Sequence, residues 1–189
     1  MKRVAITGAG TINALGHSVG ETHAAMAQGR CGIGPLQMRD LDRLQAQIGA
    51  QVQGYREEDH WSRQQITLYD RFTQFALIAA QQALTQSGVV IEGELADRAG
   101  VILGTSGGGL STQDENFRIV YEEGKNRVHP FVVPRLMANA AASHVSMTHG
   151  LRGPSYAVST ACASSNHAMG QAFQMVRTGA APVMLTGGS

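Results

Sequence analysis

The strongest constraint on this chain is the alternation of short apolar runs with segments of helical spacing. Strand, helix and strand in succession require crossover connections, which place parallel strands in one sheet covered by helices. We therefore predict an α/β fold with one central, mostly parallel sheet and helices on both faces. The predicted strands are RVAITGA (3–9), the half-exposed IGAQVQ (48–53), AGVILG (99–104), YAVST (156–160) and PVMLTGG (182–188).

Two helices carry clear signals in the sequence. Ser18 and Glu21 have the spacing of a capping box at the start of a helix that Gly29 would end. The segment 70–88 repeats apolar residues every three or four positions, which is typical of an amphipathic helix. A further helix is expected to start near Cys162, and the segment 125–134 is expected to be an irregular loop.

Composition limits the classes of function. The 189 residues are 43% hydrophobic and 15% charged, which fits one well-packed globular domain. A net charge of +1 gives no strong attraction to nucleic acid or to a membrane. Two cysteines are too few for a disulfide scaffold, and the N-terminus lacks the apolar segment of a signal peptide. We expect a cytoplasmic chain with free thiols.

Three glycine clusters superficially suggest phosphate binding. In TGAGTINALG the glycines at 8, 10 and 16 miss the GxGxxG spacing of dinucleotide-binding turns, and GTSGGG lacks the GKS or GKT ending of a P-loop. The terminal GGS reads as the exit from a strand. Tight turns and close backbone packing therefore explain these glycines better. The scattered histidines and the absence of HExxH or CxxC motifs indicate no metal site.

Cys162 lies where a predicted strand passes into a predicted helix, within VSTACASSNHAMGQA (158–172). Free N–H groups at a helix start favour a thiolate and could hold an oxyanion, so Cys162 is a candidate nucleophile. A small buried residue is the alternative, because free cysteine is often buried. His167 lies roughly 140° around the same helix and cannot readily act as its base. Cys31 has no such features.

Several segments resemble the β-ketoacyl-[acyl-carrier-protein] synthases, the condensing enzymes of fatty-acid and polyketide synthesis. VSTACASSNHAMGQAF is similar to their active-site cysteine segment, and the likeness is closest to the type II elongation enzymes. Further similarity lies in RVAITGAGTINALG, YDRFTQFALIAAQQAL, GVILGTSGGG and the segment 129–165. The resemblance covers the whole chain and identifies Cys162 as the position of the family nucleophile.

The resemblance implies a thiolase-like fold of two similar α/β halves. Residues 1–189 correspond to the N-terminal half, so we expect one domain, with the C-terminal domain absent from this chain. The two histidines and the lysine that assist the family cysteine belong to that second half, and the seven histidines here do not lie in their motifs. We therefore expect acylation of Cys162 without condensation in this chain alone. A truncated module that dimerises with an intact synthase is the alternative.

The resemblance also implies partners and further site residues. The expected partner is an acyl carrier protein, whose phosphopantetheine arm presents the acyl thioester, so that no cofactor of the chain itself is needed. A homodimer is expected. Ala161 and Ala163 would allow close approach of substrate. Gly107 replaces a bulky apolar gate of the family, which either opens the acyl pocket or loosens the loop. Four cations could dock the carrier protein or belong to an ordinary solvated surface, namely Arg63, Arg71, Lys125 and Arg127.

Overall fold

The computed structural model describes residues 3–189. Its helices are α1 (Val19–Ala27), α2 (Arg63–Leu68), α3 (Arg71–Ser87), α4 (Gly93–Arg98), α5 (Leu110–Phe117), α6 (Val132–Leu136), α7 (Ala140–His149) and α8 (Ser164–Thr178). Its strands are β1 (Gly34–Pro35), β2 (Ile48–Gly49), β3 (Gly100–Gly104), β4 (Ser155–Val158) and β5 (Met184–Gly188). Three single 3₁₀ turns and one π turn complete the regular elements: Leu41–Arg43, Glu57–Asp59, Ala161–Ala163 and Arg118–Glu122.

The main sheet contains three parallel strands in the order β4-β3-β5. Gly104 pairs with Val158 on one side and with Gly188 on the other, so the three carboxyl ends lie level. The predicted parallel α/β sheet is therefore confirmed for these strands. The prediction of a single sheet is wrong, because the 48–53 segment contributes only β2, which forms a separate antiparallel pair with β1.

Helices cover both faces of the main sheet, as predicted. Val101 lies in a cluster with side chains of α3 and α7, whereas Ile102 packs against Ala168 and Ala172 of α8. Both strand residues are fully buried. Neighbouring residues of a strand point to opposite faces, and burying a Val or Ile side chain contributes about 1.5–3 kcal/mol. The uninterrupted apolar run of β3 thus follows from its central place between two helix layers.

The predicted 70–88 helix is confirmed as α3. The Asp70 side chain caps its start by accepting a hydrogen bond from Phe72 N, and Gly88 ends it in the left-handed conformation that glycine adopts without strain. In α1, Ser18 is the N-cap as predicted. The Glu21 carboxylate accepts a hydrogen bond from His17 N, whereas in a capping box it would accept one from the N-cap residue, Ser18.

The predicted strand at 3–9 is wrong. These residues form no strand, and the Ile6 side chain is 93% exposed. The adjoining backbone instead lies against α3, where Ala9 N and Thr11 N donate hydrogen bonds to the side chains of Gln86 and Gln82. Glutamine side chains satisfy backbone groups here that a neighbouring strand would otherwise satisfy.

The expected loop at 125–134 is only partly confirmed, because α6 begins at Val132. Pro134 lies within this helix near its start, where a proline is tolerated because the first N–H groups lack helical partners. Within residues 3–189, no helix combines the length and apolar character needed to cross a lipid bilayer.

Burial lowers the pKa of two α7 imidazoles, those of His144 and His149. Below the unfolded pKa of about 6.5 the unfolded chain binds more protons than the folded one, so folding stability falls as pH drops. We expect the free energy of unfolding, measured by urea titration, to decrease from pH 7.5 to pH 5.5. His144→Gln and His149→Gln should each reduce this decrease. If the free energy of unfolding depends on pH in both variants as it does in the wild type, the prediction is contradicted. The control is His23→Gln, at an exposed position of α1.

Candidate functional site

The candidate site lies at the carboxyl edge of the main sheet. A glycine-rich loop at 105–109 leaves β3, a turn containing Cys162 leaves β4, and Ser189 follows β5. Hydrogen bonds join these segments, since Thr105 N donates to Val158 O and Ser189 N donates to Gly104 O. In α/β sheets, ligands bind at the carboxyl ends of the strands, especially where neighbouring connections diverge.

The Cys162 turn is one 3₁₀ turn, Ala161–Ala163, and α8 begins directly after it at Ser164. The expected helix near Cys162 is therefore present, with the cysteine two residues before the first residue of α8. Cys162 is exposed in this structure, so that its thiol can be reached from solvent. Ala161 is exposed and Ala163 partly buried beside it.

The Ser164 hydroxyl holds this turn closed. Its Oγ accepts a hydrogen bond from Thr160 N at 2.9 Å and donates one to Ala161 O at 2.7 Å. Ser164 itself is buried, whereas its partners Thr160 and Ala161 are exposed, so both hydrogen bonds are partly shielded from water. No such role was predicted for Ser164 from the sequence. Ser164 is the first residue of α8, and its hydroxyl bonds back to the preceding turn rather than capping the helix.

Ala161 has a φ of +50°, in the left-handed region that residues with a side chain rarely adopt. Such conformations persist where the surroundings fix them, and they cluster at functional sites. No described residue accepts a hydrogen bond from the backbone N–H of Cys162, whereas Ala163 N donates to Thr160 O. The turn therefore presents the thiol and a free backbone donor on the same residue.

Two strand-end glycines allow the start of α8 to lie against the sheet. A Cβ at Gly104 would overlap the backbone carbonyl of Ser164, and a Cβ at Gly188 would overlap the Ser165 hydroxyl. The strands β3 and β5 thus need glycine at their ends so that the start of α8, directly after the Cys162 turn, can approach them. For Gly104 this is the close backbone packing that the sequence predicted, whereas Gly188 was expected only to mark the exit from a strand.

The glycine-rich loop 105–109 packs against the end of α6. Gly108 has a φ of +67°, and a Cβ there would lie 2.7 Å from Leu136 O; at Gly109 it would lie 2.5 Å from Arg135 O. At Gly107 the nearest atom to such a Cβ would be Leu110 Cδ1 at 2.9 Å, the far end of a flexible side chain. Backbone packing thus requires glycine at 108 and 109 more than at 107.

His167 lies on the exposed side of α8 and lines an open groove of about 490 Å³ together with Tyr156 and Gln171. Tyr156 Oη donates a hydrogen bond to Gln171 Oε1 at 2.9 Å. His167 lies on α8, whereas Cys162 lies in the 3₁₀ turn before it, so the prediction that both share one helix is wrong.

The four proposed docking cations lie on two separate segments. Arg63 and Arg71 are the first residues of α2 and α3, and both are exposed. The Arg71 guanidinium lies 5.6 Å from the ring centroid of Tyr55 and 5.3 Å from that of Phe75. Lys125 forms an ion pair with Glu123 at 2.6 Å, and Arg127 is exposed two residues further on.

Cys31 differs from Cys162 in its surroundings although both thiols are free and exposed. Its sulfur accepts a hydrogen bond from Ile33 N at 3.4 Å, and no helix starts there. Among residues 3–189, no three side chains of the His, Cys, Asp and Glu types come together as a metal site.

The family described as "Beta-ketoacyl synthase, N-terminal domain" matches residues 1–189. Two curated relatives are nodulation protein E of Rhizobium sp. (strain N33), 39% identical, and 3-oxoacyl-[acyl-carrier-protein] synthase 2 of Synechocystis sp., 34% identical. Each alignment covers 100% of this chain but only 46% and 45% of the relative. The chain therefore spans about half the length of the curated relatives it matches.

A solved structure gives the same result for the fold. The crystal structure of a β-ketoacyl synthase from Burkholderia phymatum STM815 superposes with a TM-score of 0.82 at 30% sequence identity. The superposition covers 98% of this chain and 46% of that one. The predicted thiolase-like α/β arrangement is confirmed by this likeness.

Proposed function

Because the chain belongs to the β-ketoacyl synthase family, whose N-terminal domain it matches over residues 1–189, we propose that it carries the nucleophile of a 3-oxoacyl-[acyl-carrier-protein] synthase. The observation that carries this proposal is the exposed Cys162 at the start of α8, with a backbone N–H that no described residue uses. We take residues 1–189 as the N-terminal of two domains.

In the first step, the Cys162 sulfur attacks the carbonyl carbon of an acyl thioester on the carrier protein. The carbonyl oxygen becomes an oxyanion, which the backbone N–H of Cys162 stabilises by a hydrogen bond. The thioester C–S bond then breaks, so that the phosphopantetheine thiol leaves and the acyl group stays on Cys162. The positive end of the 15-residue helix α8 favours negative charge at the sulfur and at the oxyanion.

In the second step, malonyl-carrier protein loses carbon dioxide and the resulting enolate attacks the acyl-Cys162 carbonyl. The new carbon–carbon bond replaces the bond to sulfur, and 3-oxoacyl-carrier protein leaves. The donors that stabilise the enolate come, in this proposal, from the family's second half. Without them the same chain would be an interaction module that binds an intact synthase, and the assay below distinguishes these two functions.

Gly107 is proposed to shape the acyl pocket. The atoms nearest to a Cβ at this position would belong to the Leu110 side chain and not to the backbone, which favours space for the acyl group over backbone packing as the reason for the glycine. Arg63, Arg71, Lys125 and Arg127 are proposed to attract the acidic carrier protein. Among them Lys125 already has an acidic neighbour in Glu123, and we expect it to contribute least.

A homodimer is proposed because apolar side chains remain exposed on several elements. Met169 and Phe173 on α8 are 43% and 41% exposed, and Ile6 is 93% exposed. Exposed apolar surface of this kind is typical of chains that associate with a second copy or another domain.

The experiment is to incubate the full-length protein with acyl- and malonyl-carrier protein. Intact mass should show one acyl group on the protein, chromatography should show 3-oxoacyl product, and sedimentation should show a dimer. Acylation without product would support the interaction module instead. The absence of both acylation and product would overturn the proposed function.

A further inference from the structure

Asp70 joins the starts of α3 at Arg71 and α5 at Leu110, which are 39 residues apart in sequence. Its Oδ1 accepts a hydrogen bond from Phe72 N at 3.3 Å, in the first turn of α3. Its Oδ2 accepts one from Thr112 N at 2.7 Å and another from Thr112 Oγ1 at 2.6 Å, in the first turn of α5. Each oxygen of the carboxylate thus serves a different helix.

This side chain is the cap that α5 otherwise lacks. The N-cap of α5 is Gly109, which has no side chain to accept the free N–H groups of the first turn. Asp70 is 2% exposed and Thr112 fully buried, so water cannot replace the carboxylate. Hydrogen bonds from a helix start to a buried carboxylate are charge-assisted and stronger than neutral ones.

The glycine-rich loop ends where α5 begins, so that Asp70 fixes one end of it. The other side of the loop rests on α6 through Gly108 and Gly109. The Cys162 turn is held separately by the Ser164 hydroxyl. Loss of the Asp70 contacts should therefore move the loop around Gly107 while the cysteine turn keeps its shape.

We propose that Asp70, through Thr112, is a positioning residue that sets the acyl-chain selectivity of the site by fixing the 105–109 loop. This inference rests on the proposed function, in which Gly107 faces the acyl group. Asp70 does not contact the substrate in this proposal. It acts by holding the backbone that does.

The variant Asp70→Asn distinguishes the contact of this side chain with α3 from its contacts with α5. Asparagine is a good N-cap but has one carbonyl oxygen, so if it caps α3 its NH₂ group faces the Thr112 N–H, donor against donor. Thr112→Val removes only the hydroxyl donor, and Thr112→Ser keeps it. The change in acyl-chain selectivity should be larger in Asp70→Asn than in Thr112→Val. Thr112→Ser should behave nearly like the wild type.

The test measures acylation of Cys162 in the full-length protein with six-carbon and sixteen-carbon acyl-carrier proteins. We expect Asp70→Asn to change the ratio of the two rates about tenfold, since small displacements of positioning groups have large effects on rates. Alkylation of Cys162 by iodoacetamide should stay within about twofold, because the cysteine turn has its own hydrogen bonds. Hydrogen exchange should become faster in the 105–112 amides and not in the 159–166 amides.

The outcomes separate the two hypotheses. If both Asp70→Asn and Thr112→Val are acylated with an unchanged ratio of the two rates, the role of Asp70 is overturned and the proposed function is not. An equal slowing with both chain lengths shows a purely structural role and also overturns it. If Asp70→Asn does not fold, the same ratio in Thr112→Val decides. A wild-type protein that is never acylated overturns the proposed function, and the selectivity role with it.

Discussion

Cys162→Ala is expected to abolish acylation of the full-length protein and to lower condensation by roughly 10³-fold or more, because covalent catalysis has no second nucleophile in this turn. The exposed thiol and the free backbone N–H belong to Cys162, and α8 starts two residues later at Ser164. Intact mass after incubation with acyl-carrier protein measures the first effect. Chromatography of the 3-oxoacyl product measures the second.

Cys31→Ala is the matched control, since it removes the other free, exposed thiol of the chain. Both activities should stay within about twofold of the wild type, because the Cys31 sulfur has only the Ile33 N–H beside it and no helix start. Acylation that survives in Cys162→Ala but is lost in Cys31→Ala would show that the nucleophile has been misassigned.

The sequence was sufficient for the elements whose signals are local. The central strand β3 is an uninterrupted apolar run, GVILG, as burial between two helix layers requires. The helix α3 has both an apolar periodicity and end signals, with Asp70 before it and Gly88 after it. Cys162 could be placed at a helix start because the small residues around it mark the passage from strand to helix.

Other features depend on partners distant in sequence. The 3–9 segment has the apolar residues of a strand, yet it forms none, and the backbone at its end is bound by α3, where Ala9 N donates to the Gln86 side chain. The double role of Asp70 needs Thr112, which no local pattern connects to it. Periodicity likewise could not show that Gly104 lies beneath the first turn of α8.

Gly104→Ala is expected to lower both stability and acylation, because the new Cβ would overlap the Ser164 carbonyl and meet backbone on that side. The central strand β3 cannot retreat, since it is hydrogen-bonded to β4 and β5 on its two sides. The start of α8 must therefore shift, and the Cys162 turn shifts with it. Overpacking of this kind costs about 1–3 kcal/mol. In a chain of this size we expect the melting temperature to fall by roughly 2–12 °C.

Gly20→Ala provides the control for this substitution. Gly20 lies in the exposed first turn of α1, and a Cβ there would have no atom within 4 Å. Alanine has the higher helix propensity, so the melting temperature should stay the same or rise slightly. Acylation of Cys162 in Gly104→Ala should fall by at least about tenfold, because a displaced nucleophile loses its alignment with the thioester. A Gly104→Ala protein that melts and acylates like the wild type would show that the end of β3 does not set the position of Cys162.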